Sequence, residues 1–311
     1  MTLKIAVLQG GQSAEAEVSR NSAAQVAQAL VSKGHSAELV ELDQQCTQQL
    51  LALAPDVVFP ALHGPPGEDG TVQGYLEILQ LPYVGSDVRG SALAMDKAVA
   101  KNLFRQAGLP VLADRTVNPQ DDLESTSREI TATLGRQVVI KPLNQGSAIG
   151  VNRLPNGGDI EAALATSLQF GPCLVEPYLE AREMTVGVLD IEDSLTVHPV
   201  IEIRTASDEW YDYTNRYQAG KSEHIIPANV SAETTNRLQE VALKAHQCLG
   251  LRDLSRADFL VTEKEEIALL EVNSLPGMTP TSLYPDGASH LGYDFPSLMD
   301  ALVRHAATRK Q

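Results

Sequence analysis

Cysteine, long apolar runs and basic charge are all scarce in this chain of 311 residues. The three cysteines, Cys46, Cys173 and Cys248, are widely separated and show no C-x-x-C spacing, so they favour a reducing compartment over a disulfide framework. No run approaches the ~18 to 20 apolar residues that span a bilayer. The short run from Ile5 to Leu8 soon meets glycines, which predicts a first strand instead of a signal peptide. We therefore expect a cytoplasmic protein.

The charge balance excludes a general attraction to polyanions. Lys and Arg total 24 against 40 Asp and Glu, and the formal net charge of -16 opposes binding to nucleic acid or to anionic membranes. A phosphate ligand would need a local basic cluster or a metal ion. The chain also lacks H-E-x-x-H, G-x-x-x-x-G-K-[ST] and G-x-G-x-x-G, so zinc-hydrolase, P-loop and nicotinamide sites have no support from these motifs.

The remaining composition is typical of a soluble globular enzyme. A hydrophobic content of 43% with 21% charged residues excludes disorder of the whole chain. The length exceeds the size at which a single core stops growing, so two or three packed units are expected.

Strands and helices alternate up to about residue 95. The predicted strands are Lys4 to Leu8, Ala37 to Leu42 and Val57 to Leu62, and the predicted helices are Ser19 to Lys33 and Thr71 to Leu79. This alternation predicts a doubly wound parallel sheet, in which ligands collect at the carboxyl ends of the strands. Gly10-Gly11 and His63-Gly64 lie at such ends.

The rest of the chain mixes helices and strands in two further predicted units, so the expected division is 1–95, 96–180 and 181–311. A polar loop is predicted through Asp121 and Asp122, and no internal repeat is visible. The predicted helices are Lys97 to Ala107, Ile160 to Phe170, Ala232 to Leu249 and Phe295 to His305. The predicted strands are Val138 to Lys141, Val151 to Leu154, Met184 to Leu189 and Val197 to Ile203.

The most informative stretch predicts a hairpin with oxygen ligands. Asp258 precedes an apolar run, a charged turn follows at Glu263 to Glu266, and a second apolar run, Ile267 to Leu270, ends in Glu271 and Asn273. Residues two apart project from one face of a strand, and hairpin pairing could bring the aspartate beside them. Three such ligands suit Mg²⁺ that keeps several waters and binds nucleotide phosphates. The alternative is a solvated hairpin with ordinary surface acids.

Three more segments carry residues with both a functional and an ordinary interpretation. In K-P-L-N-Q-G-S-A-I-G-V, Lys141 and Ser147 could hold an anion beside a glycine turn, or the segment could be a flexible turn with a surface lysine. Glu15 could bind an ammonium group or merely cap the following helix. Lys97 could bind phosphate or be a first-turn surface lysine.

Five stretches resemble, in the same order, the D-alanine–D-alanine ligase family of ATP-grasp enzymes. They are G-G-Q-S-A-E at 10–15, H-G-P-P-G-E-D-G at 63–70, M-D-K at 95–97, W-Y-D-Y-T-N-R-Y at 210–217 and E-V-N-S-L-P-G-M-T at 271–279. The resemblance spans nearly the whole chain, and it implies an amino-terminal doubly wound parallel-sheet domain followed by an ATP-grasp fold of two α+β subdomains.

The resemblance implies an enzyme that joins two D-alanines with ATP, through an acyl phosphate, for peptidoglycan precursor synthesis. Its expected partners are D-alanine, ATP, Mg²⁺ or Mn²⁺ and a second copy of the chain, with no nucleic acid and no membrane. The nearest alternative is an ATP-grasp ligase of other amino acids or of D-alanine and D-lactate. A more distant one is a nucleotide-binding regulator without turnover.

The resemblance also assigns roles to single residues. The nucleotide would be held by Lys97, Lys141, Glu176, Tyr178, Leu179, Glu183 and Arg216, the last of which stands where most relatives have lysine. Position 177 is proline where several relatives carry lysine. A catalytic set would comprise Glu15, Ser147, Tyr217, Arg256 and Gly277, of which the last two stabilise an oxyanion. The substrate carboxylates would lie near His63, Ser282 and Leu283, and the metal on Asp258, Glu271 and Asn273.

Overall fold

The computed structural model of the chain describes residues 1–13, 15–191, 194–205 and 222–309. Within these ranges, no helix has the length and apolar content to cross a bilayer.

The amino-terminal unit is a parallel sheet with strand order β2-β1-β3. Its elements are β1 (Lys4–Gln9), α1 (Ala16–Ser32), β2 (Ser36–Glu41), α2 (Cys46–Leu53), β3 (Val57–Pro60) and α3 (Thr71–Ile78). The predicted strand and helix alternation is confirmed. Helix α2 was not predicted, although Cys46, Leu50 and Leu53 are buried at the spacing of one helix face.

The central unit is an antiparallel sheet with strand order β4-β7-β5-β6, reached through two helices. Its elements are α4 (Val88–Met95), α5 (Lys97–Gln106), β4 (Arg115–Val117), α6 (Leu123–Leu134), β5 (Val138–Pro142), β6 (Asn152–Leu154), α7 (Ile160–Ser167) and β7 (Cys173–Pro177). The polar loop predicted through Asp121 and Asp122 ends where it was expected, but β4 before it and α6 after it were not predicted. The loop is short, and α6 begins directly after Asp122 and buries Thr126 and Ile130.

The carboxyl-terminal unit is an antiparallel sheet with strand order β11-β10-β8-β12-β13, and β9 also pairs with β8. Its elements are β8 (Arg182–Ile191), β9 (Ser194–Val197), β10 (Ile201–Thr205), β11 (Ser222–Ile225), α8 (Ala232–Leu249), β12 (Asp253–Val261), β13 (Ile267–Asn273), α9 (Leu283–Ser289) and α10 (Phe295–Ala307). The predicted single strand from Val197 to Ile203 is wrong. Two strands, β9 and β10, pair with successive parts of β8 instead.

Both faces of the parallel sheet are covered, as its buried strands require. Ile5 and Val7 of β1 share a core with α1 and with Leu302 of the terminal helix α10, whereas Ala6 and Leu8 face α2 and α3. The predicted order of one parallel-sheet unit and two mixed units is confirmed. The boundaries at residues 95 and 180 stay predictions.

Candidate active site

Two cavities meet where the three units come together. The larger, of about 990 Å³, lies between the start of α1, the loop after β3, and the segment that follows β13. The smaller, of about 160 Å³, lies between β5, β7 and the start of β8. Both are lined by Lys97, Gln145, Gly146, Ser147 and Glu271. These five residues therefore form the junction through which ligands in the two cavities would touch.

The hairpin of β12 and β13 has the predicted register. Asp258 pairs with Glu271 and Arg256 with Asn273, and the register shifts directly after Asp258. The Asp258 carboxylate accepts two bonds from Arg256, each 2.8 Å long, one of 3.0 Å from the Asn273 amide and one of 2.6 Å from the Thr185 hydroxyl. Asp258 is therefore fixed in place by hydrogen bonds and is not a solvated surface acid.

The residues of this hairpin fit a hard divalent cation. Among the described residues, no group of three or more His, Cys, Asp and Glu side chains is placed to hold a metal. Asn273 would add an amide oxygen to the carboxylates of Asp258 and Glu271. Two carboxylates and one amide make an all-oxygen donor set, which suits Mg²⁺ that keeps several waters or phosphate oxygens.

Glu15 joins the first unit to the central loop. It stands at the cap position of α1, but its side chain makes no capping hydrogen bond, so the capping interpretation is wrong. Its carboxylate instead accepts a short hydrogen bond from the Ser147 hydroxyl, although the two residues are 132 positions apart. Ser147 and Ala148 have φ angles of 48° and 60°, a left-handed backbone that non-glycine residues rarely adopt.

His63 and Glu68 line the larger cavity, and the pKa of each is shifted in the direction that favours the neutral form. Burial lowers the pKa of His63, with Glu15 opposing the shift, and the ring Nε2 lies 3.1 Å from the Ser22 hydroxyl. Burial raises the pKa of Glu68 from 4.5 to about 7, although the Gly64 N–H donates to it at 2.6 Å. Glu68 was not predicted as a site residue, even though it lies in the same glycine-rich motif as His63.

Two predicted lysines flank the junction. Lys97 donates to the Gln145 carbonyl at 2.8 Å and lies 3.5 Å from a Glu271 oxygen, so it is not a free surface lysine. Lys141 lies 2.5 Å from Glu176. Burial alone would lower the pKa of Lys141, but the carboxylates of Glu176 and Glu271 outweigh it and the pKa is raised. The Lys141 ammonium therefore stays charged.

The far end of the smaller cavity is lined by Tyr178, Leu179 and Glu183, as well as by Arg153. The Arg153 guanidinium lies over the Tyr178 ring, 5.3 Å from its centroid, and 3.3 Å from the phenol oxygen. Arg153 was not predicted, because a lone arginine on a short strand carries no motif.

The segment after β13 closes the larger cavity. Gly277, Ser282 and Leu283 line it, and the Ser282 hydroxyl accepts from the Thr279 N–H at 3.1 Å. His224 and Asp286 line the same wall, with the imidazole Nδ1 2.8 Å from a carboxylate oxygen. This pair was not predicted, because its members are 62 residues apart and belong to no recognised motif.

Every predicted site residue that the structure describes lines one of the two cavities, except Asp258, which lies behind Arg256 and Asn273. Arg216 and Tyr217 lie outside the described residues. The fold thus brings the described members of the predicted set to one place.

Comparison with known proteins relates both parts of the chain to one family. The family described as D-ala D-ala ligase N-terminus matches residues 42–86, and D-ala D-ala ligase C-terminus matches residues 103–304. A D-alanine–D-alanine ligase of Acidiphilium cryptum is 45% identical over 310 residues, which cover 98% of this chain and 99% of that one.

Solved structures agree in fold over the full length. A D-alanine–D-alanine ligase from Bacillus anthracis, complexed with ATP, is 27% identical with a TM-score of 0.84, and the match covers 99% of this chain and 98% of that one. The VanG D-Ala:D-Ser ligase from Enterococcus faecalis is 31% identical with a TM-score of 0.83, over 98% and 100% of the two chains. The predicted ATP-grasp architecture is confirmed, and the chain belongs to the D-alanine–D-alanine ligase family.

Proposed function

We propose that this chain joins two D-alanine molecules, with ATP, into D-alanyl-D-alanine, ADP and phosphate, for peptidoglycan precursor synthesis. The observation that carries the proposal is the junction at Lys97, Ser147 and Glu271, where a narrow cavity with two lysines opens into a wider polar one. The narrow cavity suits a nucleotide, and the wider one suits two small zwitterions. The names of the full-length relatives support the same reaction.

The nucleotide would enter the smaller cavity with its phosphates toward the junction. Glu176, Tyr178, Leu179 and Glu183 would bind the adenosine, while the ammonium groups of Lys97 and Lys141 would bind phosphate oxygens. Arg216, outside the described residues, is proposed as a third phosphate ligand.

Asp258, Glu271 and Asn273 would hold the divalent ion, for which we propose Mg²⁺ or Mn²⁺. When bound, this ion would neutralise part of the phosphate charge.

The first step would phosphorylate a carboxylate. A carboxylate oxygen of the first D-alanine attacks the γ-phosphorus, the bond to the β-γ bridging oxygen breaks, and ADP leaves. Glu15 would hold the ammonium of this D-alanine. His63 would lie near its carboxylate as a neutral donor, because burial keeps the pKa of that imidazole low.

The second step would form the amide. The free amine of the second D-alanine attacks the acyl carbon, and the tetrahedral oxyanion would be stabilised by Arg256 and the backbone N–H of Gly277. Ser282 and the Leu283 N–H would bind the attacking molecule's carboxylate. The amine loses a proton and phosphate leaves. We propose that Ser147, Glu15 and Tyr217, the last outside the described residues, order this pocket.

One assay tests the reaction and its nearest alternative. D-alanine alone should trigger release of ADP and phosphate, and at about pH 7 to 8 it should greatly outcompete D-lactate as second substrate, because the pocket is built for an amine that loses its proton. The VanG relative makes D-serine the necessary third competitor. Products are identified by mass spectrometry. Equal incorporation of D-lactate or D-serine would reassign the substrate pair, and absence of any turnover would favour a regulator.

We further propose a cytoplasmic homodimer formed through the amino-terminal unit. Light scattering at micromolar concentration should then give a mass near twice 33.5 kDa. A mass near 33.5 kDa would remove the dimer without affecting the proposed reaction.

A further inference from the structure

Lys101 is a buried cation for which the reaction described above has no use. It lies one turn after Lys97 on α5, and its side chain is only 1% exposed. Its ammonium donates to Oε1 of Glu176 and lies 3.2 Å from a carboxylate oxygen of Asp114. A buried ammonium is costly unless it is paired, and both of its partners are held in place by β7 and by the segment before β4.

These groups form a row of alternating charge that ends in the nucleotide cavity. Asp114 contacts Lys101, Lys101 contacts one oxygen of Glu176, and Lys141 lies 2.5 Å from the other oxygen. Burial would raise the pKa of Glu176, but Lys141 and Lys101 together outweigh it and hold that pKa below its ordinary value. Glu176 is thus a carboxylate shared by two lysines, and only one of these lysines lines the cavity.

Because Glu176 is shared by Lys101 and Lys141, the Lys141 ammonium keeps more of its hydrogen-bonding capacity for a phosphate. An ammonium has three donors, and a carboxylate that another cation already engages competes weakly for them. Without Lys101, Glu176 would be a buried carboxylate whose only close cation in the described part of the chain is Lys141. Lys141 would then be drawn into that pair, and an incoming phosphate would have to compete with the full carboxylate charge.

We propose that Lys101 is a positioning residue for the nucleotide: by binding one oxygen of Glu176, it keeps the Lys141 ammonium directed to the phosphates. This inference rests on the proposed function of the smaller cavity. It also gives α5 two tasks on one face, because Lys97 acts at the junction and Lys101 acts through Glu176.

A double-mutant cycle tests the inference. Lys101→Met, Glu176→Gln and the combined variant are compared with wild type for the KM of ATP, the KM of D-alanine, ADP binding by calorimetry, and Tm. Lys101→Met should raise the KM of ATP and weaken ADP binding by roughly tenfold or more. The reason is that the substitution would weaken the charged hydrogen bond between Lys141 and a phosphate oxygen. The KM of D-alanine should stay within about twofold. The combined variant should match Glu176→Gln alone, because Lys101 would have lost the group through which it acts.

Arg105→Met is the matched control, because Arg105 is a half-exposed cation on the same helix, 2.5 Å from Asp114. It does not reach Glu176, so both KM values should stay at wild type.

An unchanged KM for ATP in folded Lys101→Met would overturn the inference. So would equal rises in both KM values that add to those of Glu176→Gln, since that pattern describes a general loss of packing. Should Lys101→Met fail to fold, the comparison of Glu176→Gln with the combined variant decides, because the combined variant carries no unpaired buried carboxylate. A further loss of ADP binding there would contradict the inference.

ADP binding needs neither D-alanine nor turnover, so the two proposals can fail separately. Wild type that binds ADP but ligates nothing removes the proposed reaction and leaves Lys101 to be judged. Wild type that does not bind ADP removes the nucleotide site and the inference with it.

Discussion

Charged residues in and beside the two cavities form pairs of opposite sign. Lys97 lies near Glu271, Lys141 near Glu176, and Arg256 binds Asp258 through two hydrogen bonds. In a partly desolvated site each pair is compensated before ligands arrive, and removing one member leaves its partner with excess charge. Substitutions that remove one charge of a pair should therefore change ligand binding and rate, and at the most buried pairs they should also cost stability.

Glu271→Gln tests the metal hairpin. The fold should remain intact while ligation falls by about three orders of magnitude, because lost charge stabilisation in the transition state costs several kcal/mol. The measurement is kcat at saturating Mg²⁺ together with Tm. Glu263→Gln, at an exposed position in the turn of the same hairpin, is the control and should keep full activity. Near wild-type turnover in folded Glu271→Gln would rule out its role.

Glu68 should make stability depend on pH. Its pKa is raised by burial from 4.5 to about 7, so the folded protein keeps a proton that the unfolded chain has released. The resulting stabilisation is fully present below pH 4.5 and is lost as the pH rises to about 7. Glu68→Gln should remove this component. Urea unfolding at pH 5 and pH 8 measures it, with exposed Glu38→Gln as control. Equal pH dependence in wild type and Glu68→Gln would contradict the prediction.

Site residues were predictable where a motif or a strand register carried them. The hairpin register places Asp258 beside Glu271 directly, and the family motif links Glu15 with Ser147. Lys101 was missed because its importance depends on Glu176, 75 residues away, and an isolated lysine on an amphipathic helix is ordinarily exposed.

The break between strands β9 and β10 has a local cause. Pro199 lacks an N–H and cannot continue a strand ladder, so the apolar run across it cannot form one central strand. The preceding His198 is fully buried, burial lowers its pKa to about 3, and its ring packs 4.6 Å from that of Tyr284. The proline in the sequence predicts this break, whereas the apolar pattern alone does not.

His198 in turn requires a strand without a side chain beside it. A Cβ added at Gly187 of β8 would lie 2.2 Å from the imidazole Nδ1. Gly187→Ala should therefore lower the free energy of unfolding by about 1 to 3 kcal/mol through overpacking. Urea unfolding measures the loss. Gly74→Ala is the control, because a Cβ there meets only an ordinary contact at 3.6 Å within α3. Equal stability of the two variants would show that the ring moves aside freely.

The last helix, α10, packs against the parallel sheet of the first unit. Leu298 and Leu302 of α10 share a core with Val7 and Phe59. The apolar face of this helix was apparent from its sequence, but such periodicity does not identify the surface that it covers. The order of one parallel-sheet unit and two mixed units was predictable from the sequence, but the packing of the units against one another was not.

A buried ion pair links the first unit to the last one. Asp253 at the start of β12 is fully buried, and it accepts hydrogen bonds from the Gly85 N–H at 2.7 Å and from Arg309 at 2.7 and 2.6 Å. Arg309 also donates to the Tyr83 carbonyl at 2.9 Å. One carboxylate thus connects the end of the first unit, a central strand and Arg309, the second residue after the terminal helix.

Asp253→Asn should lower the free energy of unfolding without changing the enzymatic reaction. The substitution keeps the shape and tolerates the left-handed φ of 65°, but it leaves the Arg309 guanidinium with less compensation, at a cost of about 2 to 3 kcal/mol. Urea unfolding should show this loss, while KM values stay at wild type because Asp253 lines neither cavity. Arg304→Ala, which removes a half-exposed pair on α10, should cost less than about 1 kcal/mol. If the two variants lose equal amounts of unfolding free energy, the buried pair stabilises the protein no more than the exposed one.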